Sequence, residues 1–346
     1  MGRETGISWT DSTWNPIRGC SRVSEGCRHC YAESVAHRFS GPGLAYEGLV
    51  QLDAAGKSTG KWNGQIKFVA HHLFDPLKWK EPRKIFVNSM SDLFHENVTD
   101  SMLDSIANVM VLAYWHTFQI LTKRPQNFHR LEAAIKKAIA ANMELQEFGG
   151  MATRLEFRAV DMRHRDHIGW AFPLNNIRIG VSVENQKAAD DRLDYLCELA
   201  SQGWQTMVSF EPLLSAVDPG AWWLSLGART WAIVGGESGP EARPMHPDWA
   251  RSLRDQCKAA GVPFFFKQWG EWLPCQPESF SEWKFQTGKH IDRHGIPDMD
   301  DPDVKGWNFS VFHEGDDICC HHRVGTKAAG CLLDGVEHHE FPAVPA

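Results

Sequence analysis

The sequence predicts an α/β protein built as a partial or full parallel (β/α) barrel, with an irregular cap at its C-terminal end. Three observations carry this expectation. From about residue 84, short β-branched runs alternate with segments of helical apolar spacing, the pattern of right-handed βαβ units around a parallel sheet. Polar residues gather at the carboxyl end of each strand, where an α/β barrel builds its working surface. After about residue 274 the alternation stops. An open doubly wound sheet produces similar strings, so these observations leave closure of the barrel undecided.

The elements follow in order. KIFVNSM, from Lys84, reads as a strand opening into a polar loop. A helix follows with its cap at Thr99 or Asp100. TFQILTK is the next strand, and a long helix begins near Pro125. NIRIGVSVE is a strand, and QKAADDRLDYLCELASQG is a helix closed by Gly203. WQTMVSFEPLL and TWAIVGGESG are strands, HPDWARSLRDQCKAAG is a helix, and VPFFFKQWG is the last strand. The strand ends carry Asn88, Ser89, Ser91 and Asp92; Thr122, Lys123 and Arg124; Ser182 and Glu184; Ser209 and Glu211; Gly235, Gly236 and Glu237; and Lys267 and Gln268. The expected organisation is a barrel domain over 1–273, interrupted by insertions at 41–65 and 149–175, and a C-terminal extension over 274–346.

Bulk properties narrow the class. The chain has 346 residues and a formal charge of −7, so contact with nucleic acid requires a local basic patch rather than the field of the whole molecule. No stretch reaches the roughly 18–20 apolar residues of a membrane span, and the first residues lack the apolar run of a signal peptide. Gly6 stands where a myristoylation signal wants Ser or Thr. A soluble, cytoplasmic protein is expected, with no membrane partner. Its nine cysteines therefore read as thiols or metal ligands rather than disulfides.

Three of those cysteines fall in one loop, Cys20-x6-Cys27-x2-Cys30, before a helix starting near Tyr31. Closely spaced thiolates can reach three corners of one iron–sulfur cluster, leaving one iron open to a further ligand. The alternatives are a zinc site completed by His29 or His37, or three unligated thiols. Structural zinc usually comes with a second pair of knuckles, and no second Cys-x2-Cys exists here. Arg18, Arg22 and Arg28 nearby are expected to favour deprotonated thiols. Cys275, Cys319, Cys320 and Cys331, beside His321 and His322, offer a second ligand set for an auxiliary iron–sulfur cluster or zinc, with ordinary buried or surface thiols as the alternative.

The three-cysteine loop followed by Tyr31-Ala32, together with KIFVNSMSDLFHENV, HTFQILTKRP, IGVSVENQKAADDRL, FEPLL, VGGESGPEARPMHPDW and FFKQWGEW, resembles a phage-encoded radical S-adenosylmethionine (SAM) family. The likeness runs from about residue 7 to 274 and resumes at RVGTKAAGCLLDG. It implies a radical SAM barrel in which Cys20, Cys27 and Cys30 hold a 4Fe–4S cluster that cleaves SAM to a 5′-deoxyadenosyl radical. By this resemblance Ser89, Ser91 and Asp92 would meet the SAM amino group. Lys123 or Arg192 would pair with its carboxylate, and Glu184 would meet its ribose or amino group. The plainer readings are that Asp92 caps the turn before Phe94, and that Lys123-Arg124 is a solvated helix start.

Some relatives in that family are associated with hypermodified thymine in phage DNA, which implies an isomerase acting on 5-N-glycyl thymidine. The implied partners are DNA and a reducing electron donor such as flavodoxin or ferredoxin, in the host cytoplasm if the chain is phage-encoded. Glu211, Glu237, Lys267 and Trp269 are the substrate-side candidates. Trp231, Trp269 and Trp272 are candidates for stacking on an extruded base, and Arg154, Arg158, Arg163 and Arg165 for holding phosphates. Core packing of the tryptophans and a solvated arginine-rich insertion are the competing readings. Two other functions stay open: a photoproduct-lyase-like DNA repair enzyme, and a zinc-stabilised nucleic-acid-binding protein without catalysis.

Overall fold

The computed structural model describes residues 5–147, 172–274, 309–314 and 317–343. The N-terminal part runs through β1 (Ser12–Trp14), β2 (Ile17–Arg18), α1 (Tyr31–Arg38), β3 (Val50–Leu52), β4 (Ser58–Trp62), β5 (Lys67–Phe68), α2 (Ala70–Leu73) and α3 (Asp75–Lys78). The repeating part follows: β6 (Lys84–Val87), α4 (Asp100–Leu112), β7 (Thr117–Thr122), α5 (Phe128–Glu147), β8 (Ile177–Ser182), α6 (Gln186–Ser201), β9 (Gln205–Phe210), α7 (Gly220–Leu224), β10 (Ala232–Gly235), α8 (Pro247–Ala260) and β11 (Phe264–Gln268).

Seven parallel strands form one sheet in the order β1-β6-β7-β8-β9-β10-β11. The order is sequential throughout. A doubly wound sheet would reverse direction at a switch point; this one has none and curls instead. Strands β1 and β11 remain its two edges, so the architecture is a partial barrel. Strand β1 was not expected from the sequence, because three residues are too few to show an alternating pattern.

Helix caps fall where local chemistry demands them. Thr99 accepts from Met102 N at the start of α4, and Asn185 accepts from Ala188 N at the start of α6. Gly203 sits at φ 97° just past α6, a conformation that favours glycine. Alternate residues of each strand divide the core. Phe118, Ile120, Ile177 and Ile179 pack outward with Leu103, Ile106, Leu131 and Ile135 of the helices. Trp9, Met207, Trp231, Ile233 and Phe265 fill the inside. At Gly180 the interior is so tight that a Cβ would stand 2.5 Å from Met207 Cγ.

Residues 41–65 were expected to be a surface excursion. They are mostly exposed and include the β3–β4 hairpin, yet Tyr46, Leu49, Val50 and Trp62 bury against Ala32 and Ala36 of α1 and against Cys20 and Cys30. A few apolar side chains among many glycines and polar residues were enough to dock it. The arginine-rich part of the 149–175 insertion, with Arg154, Arg158, Arg163 and Arg165, lies outside the described residues.

The C-terminal tail departs from the βα alternation as expected, yet it carries regular structure. Strands β12 (Trp272–Pro274), β13 (Phe309–Glu314) and β14 (Asp317–Arg323) pair antiparallel in the order β12-β14-β13. A short helix α9 (Thr326–Ala329) and the hairpin β15 (Leu332–Leu333)–β16 (Val336–Glu337) follow. Beyond the hairpin the chain bonds along the free edge of β11: Phe266 N donates to His338 O and Glu340 N to Phe264 O. Phe341 lies 5.3 Å from both Trp231 and Phe265, with Lys84 Nζ 4.0 Å from its ring. Among the described residues no helix is long and apolar enough to cross a membrane.

Candidate functional site

The carboxyl ends of strands β6 to β11 open into a single cavity of about 420 Å³. Each polar cluster read from the sequence contributes to its wall: Asn88 to Asp92, Thr122 to Arg124, Ser182, Ser209 with Glu211, Gly236 with Glu237, and Lys267 with Gln268. Cys20, Cys27 and Cys30 line the same cavity. Their loop is led in by Gly19, at φ +95°, where a Cβ would stand 2.1 Å from Gln65 O; only glycine lets the two segments pass so closely. Cys30 then occupies the N-cap position of α1.

Cys20 and Cys30 are not held as thiolates by nearby arginines, contrary to expectation. Burial pushes the Cys20 thiol up to about 12, with Asp92 adding to the rise and Arg124 opposing it. Burial raises Cys30 as well. Arg22 is bound to Glu33, Arg28 to Glu25, and Arg18 to Ala45 O, so the three arginines counted on are engaged elsewhere. His29 and His37, weighed as a fourth zinc ligand, turn to Glu241 (3.0 Å) and Ser58 Oγ (2.7 Å).

Among the described residues no three metal-ligating groups are gathered closely enough for one ion. Three thiols of one loop border the cavity together, the donor type that an iron–sulfur cluster takes. Of the second ligand set, Cys275 lies outside the described residues, as does the Cys320 side chain. Cys319 Sγ stands 3.9 Å from His321 Nε2, which also meets Met245 O at 2.9 Å.

Two buried networks hold the loops in place. Arg124, 2 % exposed, bonds Asp92 Oδ2, both Glu96 oxygens, and Ser21 O and Oγ. It is no solvated helix start. Asp92, expected at a ligand's amino group, receives four donors: Phe94 N and Thr122 Oγ1 on Oδ1, Lys123 N and Arg124 Nη1 on Oδ2. Its capping of the turn to Phe94 is thus present, within a wider web. In the second network Arg192 Nη1 bonds Glu184 Oε2 at 2.8 Å and Ser182 O at 2.7 Å. Burial alone would raise the Glu184 carboxyl, but Lys123 and Arg192 outweigh it and hold it below the ordinary range. Glu184 lies against Gly26 of the cysteine loop, within 3.4 Å of Gly26 N. Neither Glu184 nor Arg192 lines the cavity.

The remaining residues sort by contact. Ser91 Oγ bonds Ile17 O, and Ser89 Oγ bonds Asn15 Oδ1. Lys123 lines the cavity beside the cysteines, where its charge acts on Glu184 and Cys30. Glu211 and Lys267 form a 2.9 Å ion pair on the wall. Glu237 is held by Arg243 through Nε and Nη2, while Arg243 Nη1 reaches Glu25 Oε1 at 2.7 Å. Trp269 and Trp231 are buried and spend their indole N–H groups on Leu332 O and Glu340 O; packing is their observed role. Trp272 donates to Ala242 O under the Arg323 guanidinium. Sequence reasoning missed Asn15, Arg124 as an anchor, and Arg243; only the positive φ of Asn88, 59°, had a chemical signal, since Asn tolerates that region.

A family model described as a protein of unknown function (DUF5131) matches residues 4–342. The chain belongs to the DUF5131 family. No curated protein matches this DUF5131 chain. Among solved structures it is similar to a spore photoproduct lyase double mutant with bound AdoMet and dinucleoside spore photoproduct, at 10 % identity and a TM-score of 0.38, covering 93 % of this chain and 71 % of that one. Spore photoproduct lyase complexed with dinucleoside spore photoproduct gives 10 % identity and a TM-score of 0.37, with 94 % and 71 % covered.

Proposed function

We propose that this DUF5131 protein is a radical SAM enzyme, and that it isomerises a 5-N-glycyl thymidine in DNA. The observation that carries the first half is the convergence of three thiols from one loop on the cavity lined by all six strand ends. Cys20, Cys27 and Cys30 would hold a 4Fe–4S cluster, reduced by a donor such as flavodoxin or ferredoxin. When bound, the cluster and SAM supply a carbon radical able to take a hydrogen atom from substrate.

The chain's own residues position and exclude. Lys123 offers its ammonium to the carboxylate of a bound amino acid moiety. Ser89 and Ser91 shape the adjoining loop, whose turn is locked by Asp92 and Arg124. Glu184 and Arg192 brace the cysteine loop from behind. Glu211, Lys267 and Glu237 stand toward substrate. The thymidine half rests on the sequence resemblance, and a duplex base must be extruded to enter such a cavity.

Anaerobically purified protein should be brown and contain iron. Deoxyadenosine should form only with glycyl-thymidine DNA, leaving the base's mass unchanged. Serine at any of the three cysteines should abolish both iron binding and deoxyadenosine. Turnover of ultraviolet-damaged DNA, or a change in base mass, would reject isomerisation in favour of repair. A colourless protein with stoichiometric zinc would reject radical chemistry altogether.

A further inference from the structure

Glu211 follows β9, Lys267 lies in β11, and both side chains face the cavity. Lys267 Nζ stands 2.9 Å from Glu211 Oε1, with the two side chains 25 % and 13 % exposed. Ser209 Oγ donates to Glu211 Oε2 at 3.1 Å, whereas Oε1 accepts no well-directed hydrogen bond. The contact with Lys267 is therefore one of charge rather than of aligned bonding. Such a half-buried pair adds little to folding, because desolvation offsets its Coulomb gain. The wall is also kept clear around it: a Cβ at Gly235 would come within 2.6 Å of Glu211 Oε1. The other cavity carboxylates are committed, Asp92 to four donors and Glu237 to Arg243.

Resting on the thymidine reading above, we propose that Glu211 and Lys267 select a substituent bearing an amine and a carboxylate on one short carbon frame, an α-amino acid group. The substrate ammonium replaces Lys267 against Glu211, and the substrate carboxylate replaces Glu211 against Lys267. One ion pair becomes two, and no charge is left unmatched. A substituent carrying only one of the charges strands the other partner, and that mismatch discriminates against it.

Three deoxyuridine nucleosides test this by calorimetry on the full chain as purified: 5-(N-glycylmethyl), 5-aminomethyl and 5-carboxymethyl. The first should bind at least tenfold more tightly than either of the others. Lys267→Gln should erase its advantage over the aminomethyl compound, and Glu211→Gln its advantage over the carboxymethyl compound. The double variant E211Q/K267Q removes both charges together, should hold the fold by circular dichroism, and should bind all three alike. Equal binding of the three by the unaltered protein, or binding of none, overturns the proposal, as does an equal weakening of all three in each variant. Discrimination that persists in a protein unable to cleave SAM would sink the radical reading and leave this one standing. SAM cleavage without discrimination would do the reverse.

Discussion

The Arg124 guanidinium joins three segments that are distant in sequence: the cysteine loop through Ser21, the turn after β6 through Asp92 and Glu96, and its own strand end. Removing one partner of a buried pair costs more than the pair contributes, because the other charge stays behind. Asp92 is 9 % exposed at its side chain and Glu96 is 58 % exposed, so Asp92 carries the penalty and Glu96 is solvated. Arg124→Met should therefore lower unfolding stability by roughly 3 kcal/mol, read from the urea midpoint. A loss below about 1 kcal/mol would mean that Asp92 is satisfied by its three other donors alone.

At the scale of elements, the cysteine loop is tied across the cavity mouth to the loop after β10. Arg243 links Glu237 to Glu25, and His29 meets Glu241. The second loop is itself held by the tail, since Arg323 Nη2 bonds Gly239 O and Pro240 O and Glu271 Oε1 accepts from Gly239 N. Arg243→Gln should raise amide hydrogen exchange in residues 24–29 and 237–243 together, while α4 and α5 exchange as before. Faster exchange in only one of the two loops would show that they move independently. The βα repeat was legible because each strand and helix of it is long enough to show its period. Strand β1 and the short cap strands are not. The strand-end clusters were legible by place, but not by use: Glu237 and Asp92 look like any cavity carboxylate until their partners, Arg243 and Arg124, are brought from elsewhere in the chain. Trp269 failed as a stacking candidate for the same reason, its acceptor being Leu332.

For the whole molecule, acid should act through the tail, alongside His95 and His116, whose imidazoles burial also pushes down. His321, fully buried in β14, has its imidazole pushed down to about 4 by burial, with Met245 O opposing the shift and His246 adding to it. In the unfolded chain the ring protonates near its ordinary value of 6.5. Below that pH the unfolded state takes up a proton that the folded state refuses, so stability falls as pH drops from about 6.5 to about 4 and is fully retained above. The contribution amounts to up to about 3 kcal/mol. His321→Gln should flatten the pH dependence of the thermal midpoint in that window; an unchanged slope would assign the acid sensitivity to other groups.

The strip from His338 to Phe341 also sets the order in which the molecule can be assembled. The last parallel strand is complete at residue 268, yet among the described residues its outer rim bonds with a strip that is made some seventy residues later. During that interval the nascent chain presents a ladder of unused amides beside two large aromatic rings, a surface that invites pairing between neighbouring molecules. The strip acts as a seam whose closing marks the end of vulnerability, and a chain cut short of it would carry a finished cavity above an unguarded floor.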